Sequence, residues 1–216
     1  MELFWIFIVS TVFLWPSLFI ISLLIFRQNI LAFIHHIILC SILMACITTI
    51  THICSLQSLI AVIQLFFLIL CFICIFKIRI FPSFLMSVIA YLLASLEEAV
   101  LYLIISNFNS ELFVTYAKKL VILPALFIGG CNYALSFLLF KKRIGFSFLS
   151  FHHYQKSKSI TENKLKYYAV VACFYISMLS ITLFHFEKWI SLSLLAVLIV
   201  FLLIIFYLYI KDSKED

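Results

Sequence analysis

Glu97 and Glu98 lie side by side inside Ile80–Ile105, a stretch that is otherwise almost wholly apolar. A carboxyl group in such a stretch can take up a proton, bind a cation or accept hydrogen bonds from a ligand. The stretch is long enough to cross a bilayer, which needs roughly 20 residues. At about 1.5 Å per residue, Glu98 sits about 10 Å inside the span, counted from Ile105. A charge near the middle of a span costs roughly 2.5–3.5 kcal/mol on insertion scales. The side chain therefore needs an interior position and a partner. Ser83, Ser87, Tyr91, Ala94, Glu98 and Tyr102 share one helix face by their three-to-four spacing. Glu98 lies on this polar face. Glu97 is about 100° away and is expected nearer the outer interface. Gln64, Asn132 and the hydroxyls of Tyr91 and Tyr102 are the expected partners of Glu98. No basic residue shares its depth, so the sequence predicts a neutral carboxylic acid that donates one hydrogen bond.

Other spans carry polar stripes. Gln57, Gln64 and Cys71 repeat every seven residues. Gln64 is deep enough to need a hydrogen-bond partner in lipid. Ala125, Gly129, Asn132 and Ser136 form a small and polar stripe, as do Ala169, Cys173, Ser177 and Ser180. Such stripes let helices approach closely and bond across the contact. Pro124 adds an expected kink one turn before Gly129–Gly130. These stripes either pack helices or line a polar cavity around Glu98 that accepts a ligand or a proton.

Seven cysteines fall mostly in apolar spans and read as small buried hydrophobes. Cys71-x-x-Cys74 has no second pair and no flanking His, so neither a zinc nor a redox site is expected there, and with only Cys54 expected to reach an outer loop no disulfide framework is implied. His35–His36, His52, His152–His153 and His185 show no metal-ligand spacing either. No metal and no cofactor is expected. Two peptidase templates also fail. Glu97-Glu98-Ala99-Val100-Leu101-Tyr102 is similar to the EExxxR start of CAAX-type intramembrane proteases, with Tyr102 in place of the Arg. The matching FxxxH, Phe148 to His152, falls in a loop. Cys40 follows His35 and His36 too closely for the Cys/His peptidases that process signalling peptides. An enzyme is not expected.

The elements that must position these groups are hydrophobic segments. The 216 residues are 66% hydrophobic and 11% charged, against about 45–50% and about 25% in soluble domains. Three Gly and three Pro leave little linker and no phosphate-binding loop. The 25 Phe read as lipid-facing and interhelical filler. Seven spans are expected: Leu3–Phe26, Ile30–Ile50, Leu56–Phe76, Ile80–Ile105, Leu120–Phe140, Tyr167–Phe184 and Trp189–Ile210. The fold class is an all-α polytopic transmembrane helical bundle, a single membrane domain over residues 1–216. Six spans with a merged or re-entrant pair are the alternative. The first segment lacks a basic leader and a small-residue cleavage site, so it reads as a retained span.

Basic residues orient the bundle with the N-terminus outside and the C-terminus inside. Twelve of the fifteen Lys and Arg then fall on the inner side. Lys118, Lys119 and Lys188 are the three outside. The long inner loop, 141–166, interleaves Lys141, Lys142, Arg143, Lys156 and Lys158 with Phe146, Phe148, Phe151 and Tyr154. That mixture suits anionic lipid headgroups. Nucleic-acid binding is the weaker reading, since topology alone requires such charges.

Several residues carry a wider pattern. A short second span ends in Thr48-Thr49-Ile50-Thr51, and the third leads into Phe76-Lys77-Ile78-Arg79-Ile80. The fourth carries Glu97 and Glu98 late in its length. The fifth holds Leu123-Pro124-Ala125-Leu126 and leads to Lys141-Lys142-Arg143, with two more spans after it. In this order the chain resembles the membrane sensor region of bacterial GHKL-type, peptide-sensing histidine kinases. The resemblance implies ligand recognition or partner regulation in a multi-pass cell-membrane protein. It departs from that family at Lys211–Asp216, where no phosphoacceptor or ATP-binding motif follows, so no kinase activity is implied. The expected function is a non-enzymatic, sensor-like or regulatory protein in bacterial signalling. Its expected partners are the lipid bilayer and a membrane or cytoplasmic signalling protein, with a homo-oligomer compatible. The alternative is a small carrier using Glu98 as a proton or substrate site. Against that stand the missing inverted repeat and the few Gly and Pro breaks.

Overall fold

The computed structural model describes residues 2–54, 60–107, 112, 116, 121–142, 145–146 and 190–212. Among them the chain is all helical. Helix α1 spans Leu3–Ile25, α2 Ile30–Ile53, α3 Ile60–Ile75, α4 Ile80–Ile105, α5 Ile122–Lys142 and α6 Ile190–Asp212. Four of these, α1, α2, α4 and α5, are long and apolar enough to cross a membrane, and α3 is a shorter apolar helix. The expected sixth span, Tyr167–Phe184, lies outside the described residues. So does most of the 141–166 loop, including Arg143, Lys156 and Lys158.

α1 is the centre of the bundle. It packs against α2, α4 and α5, and Trp15, Leu18, Phe19 and Leu23 are buried along it. α2 and α5 turn the opposite way on their outer faces. Ile34, Ile38, Ile42 and Ile53 of α2 and Phe137, Leu138 and Phe140 of α5 are exposed. A surface this apolar suits hydrocarbon and not water.

All three prolines sit in the first turn of a helical segment. At Pro82 and Pro124 the missing N–H breaks no internal bond. Pro82 and Pro124 open α4 and α5. The kink expected at Pro124 is therefore absent, because the helix begins only at Ile122. The irregularity falls in α1 instead. A π turn, Ser10–Leu14, precedes Trp15–Ile25 with Pro16 at its start. Pro16 has no N–H to give to the carbonyl four residues back, that of Val12. The Tyr133 hydroxyl of α5 donates to this oxygen at 3.0 Å. One turn earlier on α5, Gly129 lies against the Phe13 backbone, where a Cβ would be 2.9 Å from its carbonyl oxygen. At the other end, Phe146 N–H donates to Ile25 O at 2.7 Å. α1 and α5 thus run parallel, tied near mid-length and again just past their C-terminal ends.

Two corners share one design. α1 ends with Gln28 N–H bonded to Leu23 O at 2.9 Å and Arg27 N–H to Leu24 O at 2.9 Å. This is a Schellman cap, with Arg27 at φ 51° in the position glycine usually holds. α3 ends in the same way at Lys77, φ 55°, with Ile78 N–H reaching Phe72 O across a π turn, Cys71–Ile75. The left-handed residue in each case is a cation at a helix C-terminus, where the dipole favours positive charge. Asn29 then caps α2 by accepting from Leu31 N–H at 3.1 Å. Such four-residue links force α1–α2 and α3–α4 into antiparallel hairpins.

Candidate functional site

The polar face expected on α4 is largely buried, but its members behave differently. Ser83 and Ser87 are wholly buried and bond to their own helix. Ser83 Oγ donates to Arg79 O at 2.9 Å, and Ser87 Oγ to Ser83 O at 2.8 Å. They are structural. Higher on the same face, the buried Tyr102 hydroxyl donates to the half-buried Glu98 carboxyl one turn away. Tyr91, two turns below, is close enough to interact with the same carboxyl. Tyr91, Glu98 and Tyr102 therefore form one line along α4.

Glu97 differs from the expectation. Both of its carboxyl oxygens are buried and have no hydrogen-bond partner among the described residues. Glu97 instead faces α5, close enough to Cys131 to interact electrostatically. The small-residue face of α5 is turned instead toward α1, where Gly129 lies against the Phe13 backbone. Ala125, Gly129, Asn132 and Ser136 are all buried on it.

Asn132 lies on that buried face of α5. Successive residues turn by about 100° around a helix. Tyr133 reaches α1 and Cys131 faces Glu97 on α4, so Asn132 points between those two neighbours. It is 0% exposed, and among the described residues neither its amide nitrogen nor its oxygen has a partner. Ser136 Oγ, one turn on, is likewise unpartnered. Four unmatched polar atoms on two side chains, Glu97 and Asn132, thus face an apolar interior. Each such atom costs free energy unless something bonds to it.

Gln64 does not join this group. Its Nε2 donates to Thr48 Oγ1 at 3.1 Å, and Trp15 Nε1 donates to the same oxygen at 3.2 Å. Thr48 Oγ1 in turn donates to Met44 O at 2.9 Å. One hydroxyl therefore ties α1, α2 and α3 with its capacity filled, which is a packing role. Gln64 was expected to partner Glu98, but that expectation could not weigh Thr48, because a threonine in a span usually bonds to its own helix. Trp15 had no marker in the sequence, and Thr48 was marked only as part of the Thr48-Thr49-Ile50-Thr51 end of its span.

Lys141 and Lys142 end α5 and are exposed, as a headgroup contact requires. Among the described residues, no three of His, Cys, Asp and Glu stand close enough to hold a metal ion. The chain matches no known family model, no curated protein and no solved structure. The likeness to a kinase sensor region therefore rests on the order of its motifs alone.

Proposed function

We propose that this chain is a non-enzymatic, sensor-like regulatory protein of the cell membrane whose recognition element is the crevice between α4 and α5. One observation supports it most: the carboxyl oxygens of Glu97 on α4 and the side-chain amide of Asn132 on α5 are buried without a hydrogen-bond partner among the described residues. A small ligand carrying hydrogen-bond donors, or a proton, relieves that cost when it binds. Occupancy then favours one packing of α4 against α5. Because Tyr133 of α5 is bonded to α1 and Phe146, just beyond α5, is bonded to its C-terminal end, that preference is passed to the central helix and to a partner in or beneath the membrane.

A second reading has its own support. Tyr91, Glu98 and Tyr102 line one face of α4, an arrangement suited to passing protons or a substrate in a small carrier. The two readings separate in one experiment. The purified protein is placed in liposomes holding a pH-sensitive dye, and the same protein is used to capture partners from native membranes. The regulatory reading expects no proton flux, and a captured signalling protein that is lost with Glu97→Leu. Proton-coupled uptake abolished by Glu98→Gln overturns it in favour of the carrier.

A further inference from the structure

Cys40 of α2 and Cys71 of α3 lie deep in the core, 0% and 2% exposed, on two helices that pack together. The two thiols lie close enough to influence each other. Two independent contacts set the same register at this interface. Thr48 is eight residues after Cys40 on α2, and Gln64 is seven residues before Cys71 on α3. Thr48 and Gln64 are bonded at 3.1 Å. In an antiparallel pair, matched steps of two turns bring both pairs opposite one another, as observed. The π turn at Cys71–Ile75 begins at the thiol itself. Its wider turn is a place where the helix can shift slightly to close the gap.

We propose that Cys40 and Cys71 form a redox-active dithiol that closes to a disulfide between α2 and α3, its electrons passing to a lipid-soluble quinone. Each thiol gives up its proton and one electron, and the S–S bond forms. The quinone takes up both electrons and both protons and leaves as the hydroquinone. Burial chooses the oxidant. A water-soluble disulfide such as oxidised glutathione is charged and large, and neither sulfur faces water. A quinone already dissolved in the hydrocarbon meets the exposed face of α3 at Cys74, one turn from the buried Cys71, and the Cys71 end of the helix must open to that face for the sulfurs to react. A neutral disulfide also avoids placing thiolates in an apolar core. The closed bond locks the α2–α3 register and, through Thr48 and Gln64, the position of Trp15 on α1. This clamp is independent of any ligand in the α4–α5 crevice.

The test uses the full chain in lipid nanodiscs, reduced and then exposed to decylubiquinone, whose fully substituted ring has no free carbon for thiol addition. After acid quench and denaturation, free thiols are alkylated and counted by mass. Before oxidation all seven cysteines should label. Afterwards five should label, and digestion should yield a linked peptide pair containing Cys40 and Cys71. Cys40→Ser and Cys71→Ser should each keep their remaining six thiols, while Cys74→Ser should still lose two. A count that stays at seven overturns the proposal, as does loss of two thiols in Cys40→Ser. Linkage by oxidised glutathione at the rate seen with the quinone overturns the lipid-side route.

Discussion

Replacing Gly129 by alanine should loosen the α1–α5 contact, while the same change one residue later should not. A Cβ at position 129 would stand 2.9 Å from Phe13 O, 3.0 Å from Phe13 C and 3.0 Å from Phe13 Cβ. Two of these atoms are backbone, so no side chain can swing aside. Ordinary contact needs ~3.5–4.0 Å, so the helices must part by roughly 0.5–1 Å. Overpacking of this kind costs about 1–3 kcal/mol. The Tyr133–Val12 bond, one turn on and already 3.0 Å long, stretches beyond hydrogen-bond range. Such interhelical bonds are worth about 0.6–1.7 kcal/mol in membranes. Alanine returns about 1 kcal/mol of helix propensity, leaving a net loss of about 1–3 kcal/mol. At Gly130 a Cβ meets nothing within 4 Å, so alanine should be neutral or stabilise by up to about 1 kcal/mol. Reversible unfolding in mixed micelles, followed by helical circular dichroism, measures both variants. The close approach of α5 to α1 is wrong if Gly129→Ala matches or exceeds the stability of Gly130→Ala.

Thr48→Val keeps the shape but removes the acceptor shared by Trp15 and Gln64; unfolding in the same micelles should show a loss of about 1–3 kcal/mol per stranded donor. A double variant, Thr48→Val with Gln64→Leu, should recover part of that loss. Glu97→Gln should fold like the parent chain. Glu98→Leu should lower stability by about 1–3 kcal/mol, because it strands the Tyr102 hydroxyl, as thermal melting in nanodiscs would show. Arg27→Gly should relieve about 1 kcal/mol of left-handed backbone cost, read as a higher melting temperature; an unchanged or lower value means that the cation at the helix end outweighs the backbone term. A reporter fused after Asp216 should be cytoplasmic, and an external signal there reverses the orientation drawn from the basic residues.

The membrane character of this chain was legible in composition and run length. Long apolar stretches bury nothing in water and can only be helices in lipid. Ile80–Ile105 was read with the bounds the structure has, because Arg79 and Ser106 flank an unbroken apolar run. The buried stripe of α5 was legible too, since spacing alone assigns residues to one helix face. What spacing cannot say is which neighbour that face meets. Glu97 and Glu98 differ by only 100° on α4. Whether one or the other is unmatched depends on where α5 sits, and α5 is placed by Gly129 against Phe13. The partner of Gln64, the release of the Val12 carbonyl by Pro16 and the meeting of Cys40 with Cys71 all join residues far apart in sequence. Periodicity is a property of one helix, whereas each of these contacts is a property of two. Only the tertiary packing, which sets the register and rotation of each pair, decided them.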